Sequence, residues 1–428
     1  MNDIPQPNPY ADIHRKLRLI LHTGQLLMEN GADTNRAVRD MKELSDFFSL
    51  PAAALSLHVV YTTILVTVSD NTHAYTSFIK CRKHDANMDI ITAVSRLSRQ
   101  AVENHLSLDA YEAALDRIER LPRRYPPICS VLGTAVACAA LSVLFGGDMG
   151  AALCTAFAAV IGFGVRGRLN HWKVNPYAGI AAAAFAATFT AWLLIPFSLS
   201  GTPYLPMIAS SLCFVPGIPL INAVDDLVNS HIVAGITRAV HTVLIIGAMT
   251  FGIVLTIRLG HVADFATLSI IPDTSYFIYA LAAASAATGF SILFNVPPRL
   301  LLIIAGGGIL AVCLRNLLNL GLGLPLPSSA TVGAAAVSLY TLAASRHFRV
   351  PTHVISIPCV IPLIPGIPLY RLLFALINVR SLPLPTFLSA VQDGIEAVLI
   401  LIGISLGVAI PNLVARHRLD RRQRLEGK

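Results

Sequence analysis

The feature that most constrains this chain is a change of composition at Pro126 and Pro127. From there the sequence consists of long apolar runs joined by short polar links, and each run is near the roughly 20 residues that a helix needs to cross a bilayer. The ten runs cover residues 128–145, 149–165, 177–196, 205–222, 232–257, 275–294, 300–314, 327–345, 353–378 and 388–410. The sequence therefore predicts a polytopic α-helical membrane protein with ten transmembrane helices and both termini on one side.

The charge content excludes a single soluble domain. Only 13% of the 428 residues are charged, against about a quarter in soluble proteins. The net charge of +8 belongs to the apolar part, and much of it lies in a basic tail after the last run. A basic tail in that position is typical of a cytoplasmic anchor, so we expect no nucleic-acid partner.

The first 125 residues have the composition of an α+β domain. An amphipathic helical pattern covers residues 13–48, with a break at Asn30-Gly31 and Asp33 as the N-cap of its second piece. Two runs rich in β-branched and aromatic residues, 56–69 and 73–81, predict one β-hairpin. Further helices are predicted at residues 88–104 and 108–121. No stretch here resembles a signal peptide, which places this domain in the cytoplasm.

Positive charges agree with that orientation. The links on the cytoplasmic side carry Arg166, Arg168, Lys173, Arg299, Arg346 and Arg349, and the opposite links carry Arg258, Arg315 and Arg380. Basic residues favour the cytoplasmic side. We accordingly predict a cytoplasmic domain at 1–125, membrane parts at 126–258 and 259–412, and a basic cytoplasmic tail at 413–428.

The apolar part contains an internal duplication. The segment Val-Pro-Gly-Ile-Pro-Leu at 215–220 recurs as Ile-Pro-Gly-Ile-Pro-Leu at 364–369, an offset of 149. The segment 166–170 recurs at 315–319 with the same offset, whereas beyond the proline motif the offset becomes 155. Each repeat contains five runs, and an odd number inverts the second copy relative to the first. This predicts the two inverted five-helix repeats found in secondary transporters.

The two Pro-Gly-Ile-Pro motifs should interrupt their helices. Proline removes backbone N–H donors and glycine permits a backbone excursion, and such breaks occur in membranes only where protein or a water-filled cavity satisfies the freed groups. Half-helices beginning near Pro219 and Pro368 would present positive dipole ends to a carboxylate. The alternative is a pair of kinks kept for packing.

Ionisable side chains follow both breaks, and charges in membrane segments often mark substrate or ion routes. We propose Arg371 as a carboxylate clamp, Asp225 or Asp226 as an amine partner or proton carrier, and Arg238 as a partner of Asp393 or Glu396. Asp225 and Asp226 could instead lie in an aqueous link. The complete candidate set for the substrate and ion pathway is Pro216, Gly217, Pro219, Asn222, Asp225, Asp226, Arg238, Pro365, Gly366, Pro368, Arg371, Asp393 and Glu396.

Enzyme signatures carry little weight in this sequence. The segment Gly-Ile-Ser-Leu-Gly at 403–407 matches the hydrolase elbow, but it lies in an apolar run and predicts a helix-packing face instead. The chain has no phosphate-binding loop for nucleotide and no zinc-ligand spacing. We expect no cofactor and no metal.

Three segments resemble the bacterial threonine/serine exporter family. They are residues 27–36, which read Leu-Met-Glu-Asn-Gly-Ala-Asp-Thr-Asn-Arg, residues 94–99, and the paired Pro-Gly-Ile-Pro motifs. The resemblance covers about residues 17–412 and implies a multi-pass protein of the bacterial inner membrane that exports small amino acids with the proton gradient. In some members the same parts are split into two polypeptides, and one split relative is associated with dicarboxylate export.

The leading hypothesis is therefore a proton-coupled exporter of threonine-like amino acids, whose partners are the substrate, protons and lipid. Self-association into a homo-oligomer stays open. One alternative is a dicarboxylate exporter of the succinate type on the same scaffold, favoured if Arg371 and Arg238 both face the cavity. Another is a cytoplasmic sensor or enzyme with a membrane anchor, although ten crossings exceed what an anchor requires.

Overall fold

The fold comes from a computed structural model. It describes residues 9–50, 55–69, 73–197, 200–262, 276–380 and 382–426, with side chains between residues 12 and 411. The description below concerns those residues.

The N-terminal domain contains four helices, α1 (Pro9–Glu29), α2 (Thr34–Phe47), α3 (Met88–Asn104) and α4 (Leu108–Glu119). The predicted break between the first two is confirmed. Gly31 adopts a φ of +95°, which glycine tolerates without a Cβ clash. Asp33 then caps α2 by accepting a hydrogen bond from the backbone N–H of Arg36 at 2.7 Å.

A three-stranded antiparallel sheet packs on these helices, in the order β1 (Leu55–Val60), β2 (Thr63–Ser69) and β3 (Ala74–Lys80). The prediction of one long strand over 56–69 is wrong, because the chain turns at Tyr61 and Thr62 and pairs Val60 with Thr63. Both turn residues are good strand formers, so their propensity concealed the turn. The predicted turn at 70–72 lies outside the described residues.

The apolar part folds into eight long helices and two bent helix pairs. The long helices are α5 (Pro127–Leu144), α6 (Met149–His171), α7 (Pro176–Leu194), α10 (Ile232–Leu259), α11 (Tyr276–Leu293), α12 (Leu301–Asn316), α13 (Leu326–Phe348) and α16 (Leu384–Glu426). Large apolar side chains on their outer faces are exposed, for example Phe157, Val243, Leu302 and Ile395. Such wide apolar surfaces suit lipid rather than water, and the structure confirms a polytopic helical membrane protein.

Both predicted helix breaks are present. The first lies between α8 (Leu205–Ala209), extended by a 3-10 turn to Phe214, and α9 (Gly217–Val228), with a bend of 61°. The second lies between α14 (Thr352–Val360), extended to Leu363, and α15 (Gly366–Ile377), with a bend of 59°. Pro216 (φ −79°, ψ 68°) and Pro365 (φ −80°, ψ 66°) share one backbone conformation. The half-helices begin two residues earlier than Pro219 and Pro368.

Contacts with the N-terminal domain identify one end of the helix bundle. The domain touches the end of α9 through Asp226, the residues after α11 through Phe294, and the start of α14 through His353. We call this the domain end. At the other end, the far end, Arg258 of α10 donates a 2.6 Å hydrogen bond to Asn378 after α15. Each bent pair therefore runs from one end of the bundle to the other.

Equivalent helices of the two halves pack alike. A Cβ added at Gly252 of α10 would lie 2.8 Å from the backbone nitrogen of Phe185 in α7. A Cβ added at Gly407 of α16 would lie 3.0 Å from that of Ala335 in α13. Between the halves, α5 and α11 approach closely where Gly133 faces Gly289. The sequence repeat thus corresponds to repeated helix packing, while the predicted domain boundaries stay predictions.

Candidate functional site

A cavity of about 440 Å³ opens beside the first helix break, at the domain end of the bundle. The break itself forms one wall through residues 213–219, and α6 contributes Arg166 and Asn170. The domain contributes the loop 84–86, and the segment leading into α5 contributes Arg123. Elements that are far apart in the chain thus enclose one space.

The cavity contains groups that suit a small anion or zwitterion. Arg166 and Arg123 supply guanidinium groups, which form paired hydrogen bonds to carboxylates, and Asp85 supplies the opposite charge. The Arg166 guanidinium also lies over the ring of Phe214, 5.7 Å from its centre. The N-terminus of α9 lies at Gly217 in the same wall, where the helix dipole favours negative charge.

The second break packs against the first through apolar side chains. A Cβ added at Gly217 would lie 3.0 Å from Cδ1 of Ile364, and one added at Gly366 would lie 3.8 Å from Cγ2 of Val215. Gly366 and Ile364 are the repeat counterparts of Gly217 and Val215, so the contact is reciprocal. The space between the breaks is a gap of about 30 Å³. Among the described residues, the second break is absent from the wall of the larger cavity.

Beneath the domain lies a buried ion pair. Arg238 of α10 contacts Asp226 of α9 with 3.1 Å between Nε and Oδ2, and the two side chains are 1% and 0% exposed. Asp226 also accepts hydrogen bonds from the backbone N–H of Thr34 at 3.0 Å and from its hydroxyl at 2.9 Å. These bonds satisfy a carboxylate whose burial would otherwise be costly.

The connection between α1 and α2 completes this contact. Asn222 donates to the carbonyl oxygen of Gly31 at 3.0 Å, and Arg238 donates to that of Ala32 at 3.3 Å. Asp33, the N-cap of α2, contacts His353 of the second half, with 3.8 Å between Oδ2 of Asp33 and Nε2 of His353. Burial opposes ionisation of Asp33, but attraction by His353 and Arg36 outweighs it and holds the pKa of that carboxyl well below its usual range.

An aromatic cluster borders the ion pair and the cavity. Arg238 lies 4.8 Å from the centre of the Tyr61 ring, and Tyr61 stacks on His84 with 4.1 Å between ring centres. His241 of α10 approaches both rings. Burial lowers the pKa of His84 to about 4, helped by His241 and Arg238. The His84 imidazole is therefore neutral near pH 7.

The second half carries a different ion pair. Arg371 of α15 contacts Asp393 of α16 at 3.0 Å, and both side chains are partly exposed, at 23% and 26%. The predicted partnership of Arg238 with Asp393 or Glu396 is wrong, because Arg238 binds Asp226 instead.

The remaining candidates occupy varied positions. Pro216, Gly217 and Pro219 line the large cavity, whereas Gly366 lines the small apolar gap. Asp225 and Asp226 lie within α9 and are buried, Asp226 against Thr34 of the domain, rather than in a link between helices. Pro365 is the N-cap of α15 and Pro368 is the third residue of that helix, while Glu396 lies on α16 three residues beyond Asp393.

Sequence reasoning missed several residues of this region. Arg166 was considered only as a link charge, although its segment was one of the repeated landmarks. Thr34 belongs to the motif at 27–36, which we interpreted as a helix break and cap. The motif does perform that role, but it also joins the domain to the bundle. Arg123, Tyr61 and His84 had no sequence signal that linked them to a site.

A bundle of apolar helices with two matched breaks, one of them beside a polar cavity, has the construction of a multi-pass membrane transporter. Comparison with known families agrees. The ThrE family model, described as "Putative threonine/serine exporter", matches residues 18–260, and a second model, described as "Threonine/Serine exporter, ThrE", matches residues 279–414. The chain belongs to the threonine/serine exporter family.

Curated relatives include both exporters and transporter subunits. The chain is 23% identical to a protein of Corynebacterium glutamicum named "Threonine/serine exporter", over 88% of this chain and 81% of that protein. It is 29% identical to proteins of Escherichia coli and Klebsiella aerogenes named "Probable succinate transporter subunit YjjP", over 56% of this chain and 93% of each relative. These names describe transporters, not enzymes. No solved structure matches the chain.

Proposed function

We propose that this protein is a secondary active exporter of small amino acids such as threonine and serine, and that its substrate enters the bundle through the cavity at the first helix break. The observation that carries the proposal is the placement of Arg166, Arg123 and Asp85 around that break. An amino acid presents a carboxylate and an ammonium group, and the cavity wall contains charges of both signs.

The orientation follows from the same proposal. We place the domain end of the bundle in the cytoplasm of a bacterial inner membrane, with both chain termini on that side. Each bent pair then counts as one crossing, which gives ten. The reciprocal contact between Gly217 and Ile364 and between Gly366 and Val215 supports an arrangement of two inverted repeats.

Export against a gradient requires coupling, and we assign it to protons. Asp225 and Asp226 are buried carboxylates on the half-helix that begins at the cavity, and buried carboxylates in membrane segments commonly carry protons. Replacing Asp225 by Asn should abolish accumulation driven by a pH gradient while leaving substrate exchange partly intact. Wild-type accumulation in that variant would remove Asp225 from the coupling step.

Succinate-like dicarboxylates form the second candidate substrate class. Two relatives carry a succinate transporter name, and two arginines line the cavity. The sequence favoured this class if Arg371 and Arg238 both faced the cavity. Neither residue is among those that line the 440 Å³ cavity. The dicarboxylate alternative therefore depends on Arg123 and Arg166.

The deciding experiment measures uptake of labelled threonine and labelled succinate by proteoliposomes that contain the full chain, under an imposed pH gradient. Arg166→Gln should reduce transport of either substrate by roughly tenfold or more, because a charge-assisted hydrogen bond is lost. Arg346→Gln, at the domain end but outside the cavity wall, is the matched control. Full activity of Arg166→Gln would contradict the proposed cavity.

Two further variants separate the substrate classes. Asp85→Asn should impair transport of threonine selectively, because only an amino acid has an ammonium group for that carboxylate. Arg123→Gln should impair succinate more than threonine. Transport of neither substrate by the wild-type protein would contradict the proposed function itself.

A further inference from the structure

We propose that Arg315 and Asn319 form the exit-side substrate site, the counterpart of Arg166 and Asn170 on the entry side. This inference rests on the proposed function and adds the residues that receive the substrate when the far end opens. It starts from the repeat, in which residues 166–170 correspond to residues 315–319 with the offset of 149 that also relates the two helix breaks.

The matched arginines lie at opposite ends of the bundle. Arg166 borders the cavity beside His84 and Asp85, at the domain end of α6. Helix α12 begins at the domain end, close to Asn295, and therefore reaches the far end at Arg315. Two copies of one binding element that face opposite sides are what an exporter with alternating access requires.

Among the described residues, the surroundings of Arg315 contain hydrogen-bond partners but no negatively charged one. Its guanidinium donates hydrogen bonds to the side-chain oxygen of Asn316 at 3.0 and 2.8 Å, within its own helix. Its other electrostatic neighbours are the phenol of Tyr279 and the thiol of Cys313. No carboxylate in the described part of the chain forms an ion pair with it, in contrast to Arg238 and Arg371. Arg315 is half-buried, and a partly desolvated charge without a counter-charge is costly, which an anionic substrate would offset.

The local backbone is a second, independent observation. Immediately after α12 the helix widens into a π-helical turn over Leu317–Gly321, which includes Asn319. π-Helical turns are rare in proteins, and those that are found often lie at functional sites. The equivalent residues of the first half continue α6 as a regular helix to His171. The distortion is therefore specific to the far end.

The second helix break would supply the remaining wall. In the present structure Gly366 packs on Leu212, where an added Cβ would meet Cδ2 at 2.9 Å, and only the small apolar gap remains. Separation of this contact would expose the N-terminus of α15 to Arg315, as the N-terminus of α9 is exposed beside Arg166. In the proposed cycle, a cavity beside the first break and tight apolar packing at the second correspond to the conformation that is open on the entry side.

The test compares the two faces of the membrane. In proteoliposomes of uniform orientation, the apparent KM for labelled threonine or succinate, whichever the wild type carries, is measured from each side. Arg315→Gln should raise the KM on the exit face about tenfold and leave the entry face unchanged. Arg166→Gln should do the reverse, and Arg315→Lys should retain part of the affinity. Arg380→Gln, a far-end arginine in the next link, is the control.

Two outcomes would overturn the assignment: an unchanged KM in Arg315→Gln, or an equal rise on both faces. A stability measurement tests it even if the wild type carries neither substrate, which would refute the proposed function separately. The double variant Arg315→Met with Asn316→Leu removes the charge that lacks a counter-charge together with the amide that it bonds, so no buried acceptor is left unpaired and its melting temperature should equal or exceed that of the wild type. A lower melting temperature would identify Arg315 as a structural residue and refute the exit site.

Discussion

The two bent pairs share a backbone but differ in what surrounds them. Both breaks have the same proline geometry and similar bend angles. In the first repeat the acid, Asp226, lies on the bent helix and the base, Arg238, on the long helix, and the domain covers both. In the second repeat the base, Arg371, lies on the bent helix and the acid, Asp393, on the long one, partly exposed. Duplication fixed the path of the chain, while the charges diverged with the neighbours of each copy.

The sharpest test of this difference is Asp226→Ala. It leaves Arg238 buried without a counter-charge and removes both hydrogen bonds from Thr34. We expect the free energy of unfolding to fall by about 3 to 5 kcal/mol, measured by thermal or denaturant unfolding of the purified protein in detergent.

The double variant Asp226→Leu with Arg238→Met is the control for that loss. Apolar side chains of similar size can replace a buried ion pair at little cost, so most of the stability should return. If transport also returns, neither charge takes part in coupling. A double variant as unstable as the single one would show that the pair itself, not the unpaired charge, determines stability.

Helix contacts should respond alike in the two repeats, in contrast to the ion pairs. Gly252→Ala and Gly407→Ala each push a methyl group against the backbone of a neighbouring helix. Each should cost about 1 to 3 kcal/mol of unfolding free energy, the usual cost of overpacking. Gly247→Ala has nothing within 4 Å of the added Cβ and should have no such cost. A large effect in only one repeat would contradict the equivalence of their packing.

Acidic pH should weaken the packing of the N-terminal domain on the first repeat, where His84 lies, and should not weaken its packing on the second repeat. His84 has a pKa of about 4 in the folded protein and an ordinary value near 6.5 when unfolded. The folded state thus binds the proton less readily, and the stability present above about pH 6.5 is lost as the pH falls towards 4. His84→Asn should flatten the decline of melting temperature between pH 7 and pH 5, whereas His105→Asn, on an exposed helix end, should follow the wild type.

The smallest effect is expected at the second ion pair. Arg371→Gln removes a partly exposed contact with Asp393, for which we expect a loss of about 1 kcal/mol or less. The original clamp hypothesis predicts weaker substrate binding in this variant, whereas the cavity at the first break predicts unchanged binding. Equilibrium binding of the substrate to the purified variant distinguishes the two.

Much of the bundle could be predicted because the bilayer imposes simple rules. A helix must be long and apolar, and each of the ten predicted runs corresponds to a long helix or a bent pair. The breaks were predictable because proline and glycine act locally, through the backbone. The cap at Asp33 was predictable for the same reason.

The site was harder to predict because it depends on distant contacts. Asp226 and Thr34 are 192 residues apart in the chain, and no local pattern announces such a pair. The polar turn signal that marks most hairpins is absent at Tyr61 and Thr62, so the third strand went unnoticed. Arg238 was paired with the wrong acid because alignment of the repeats matched its position to Asp393, not its partner.

The position of the domain across both halves has a consequence for how the molecule stays assembled. The domain contacts the first half at Asp226 and the second half at Phe294 and His353. In addition, α5 of the first half packs directly on α11 of the second. A protein cleaved between residues 262 and 276 would therefore remain one particle. Contacts of the N-terminal domain with both halves, rather than the peptide bond between them, would then hold the two halves together.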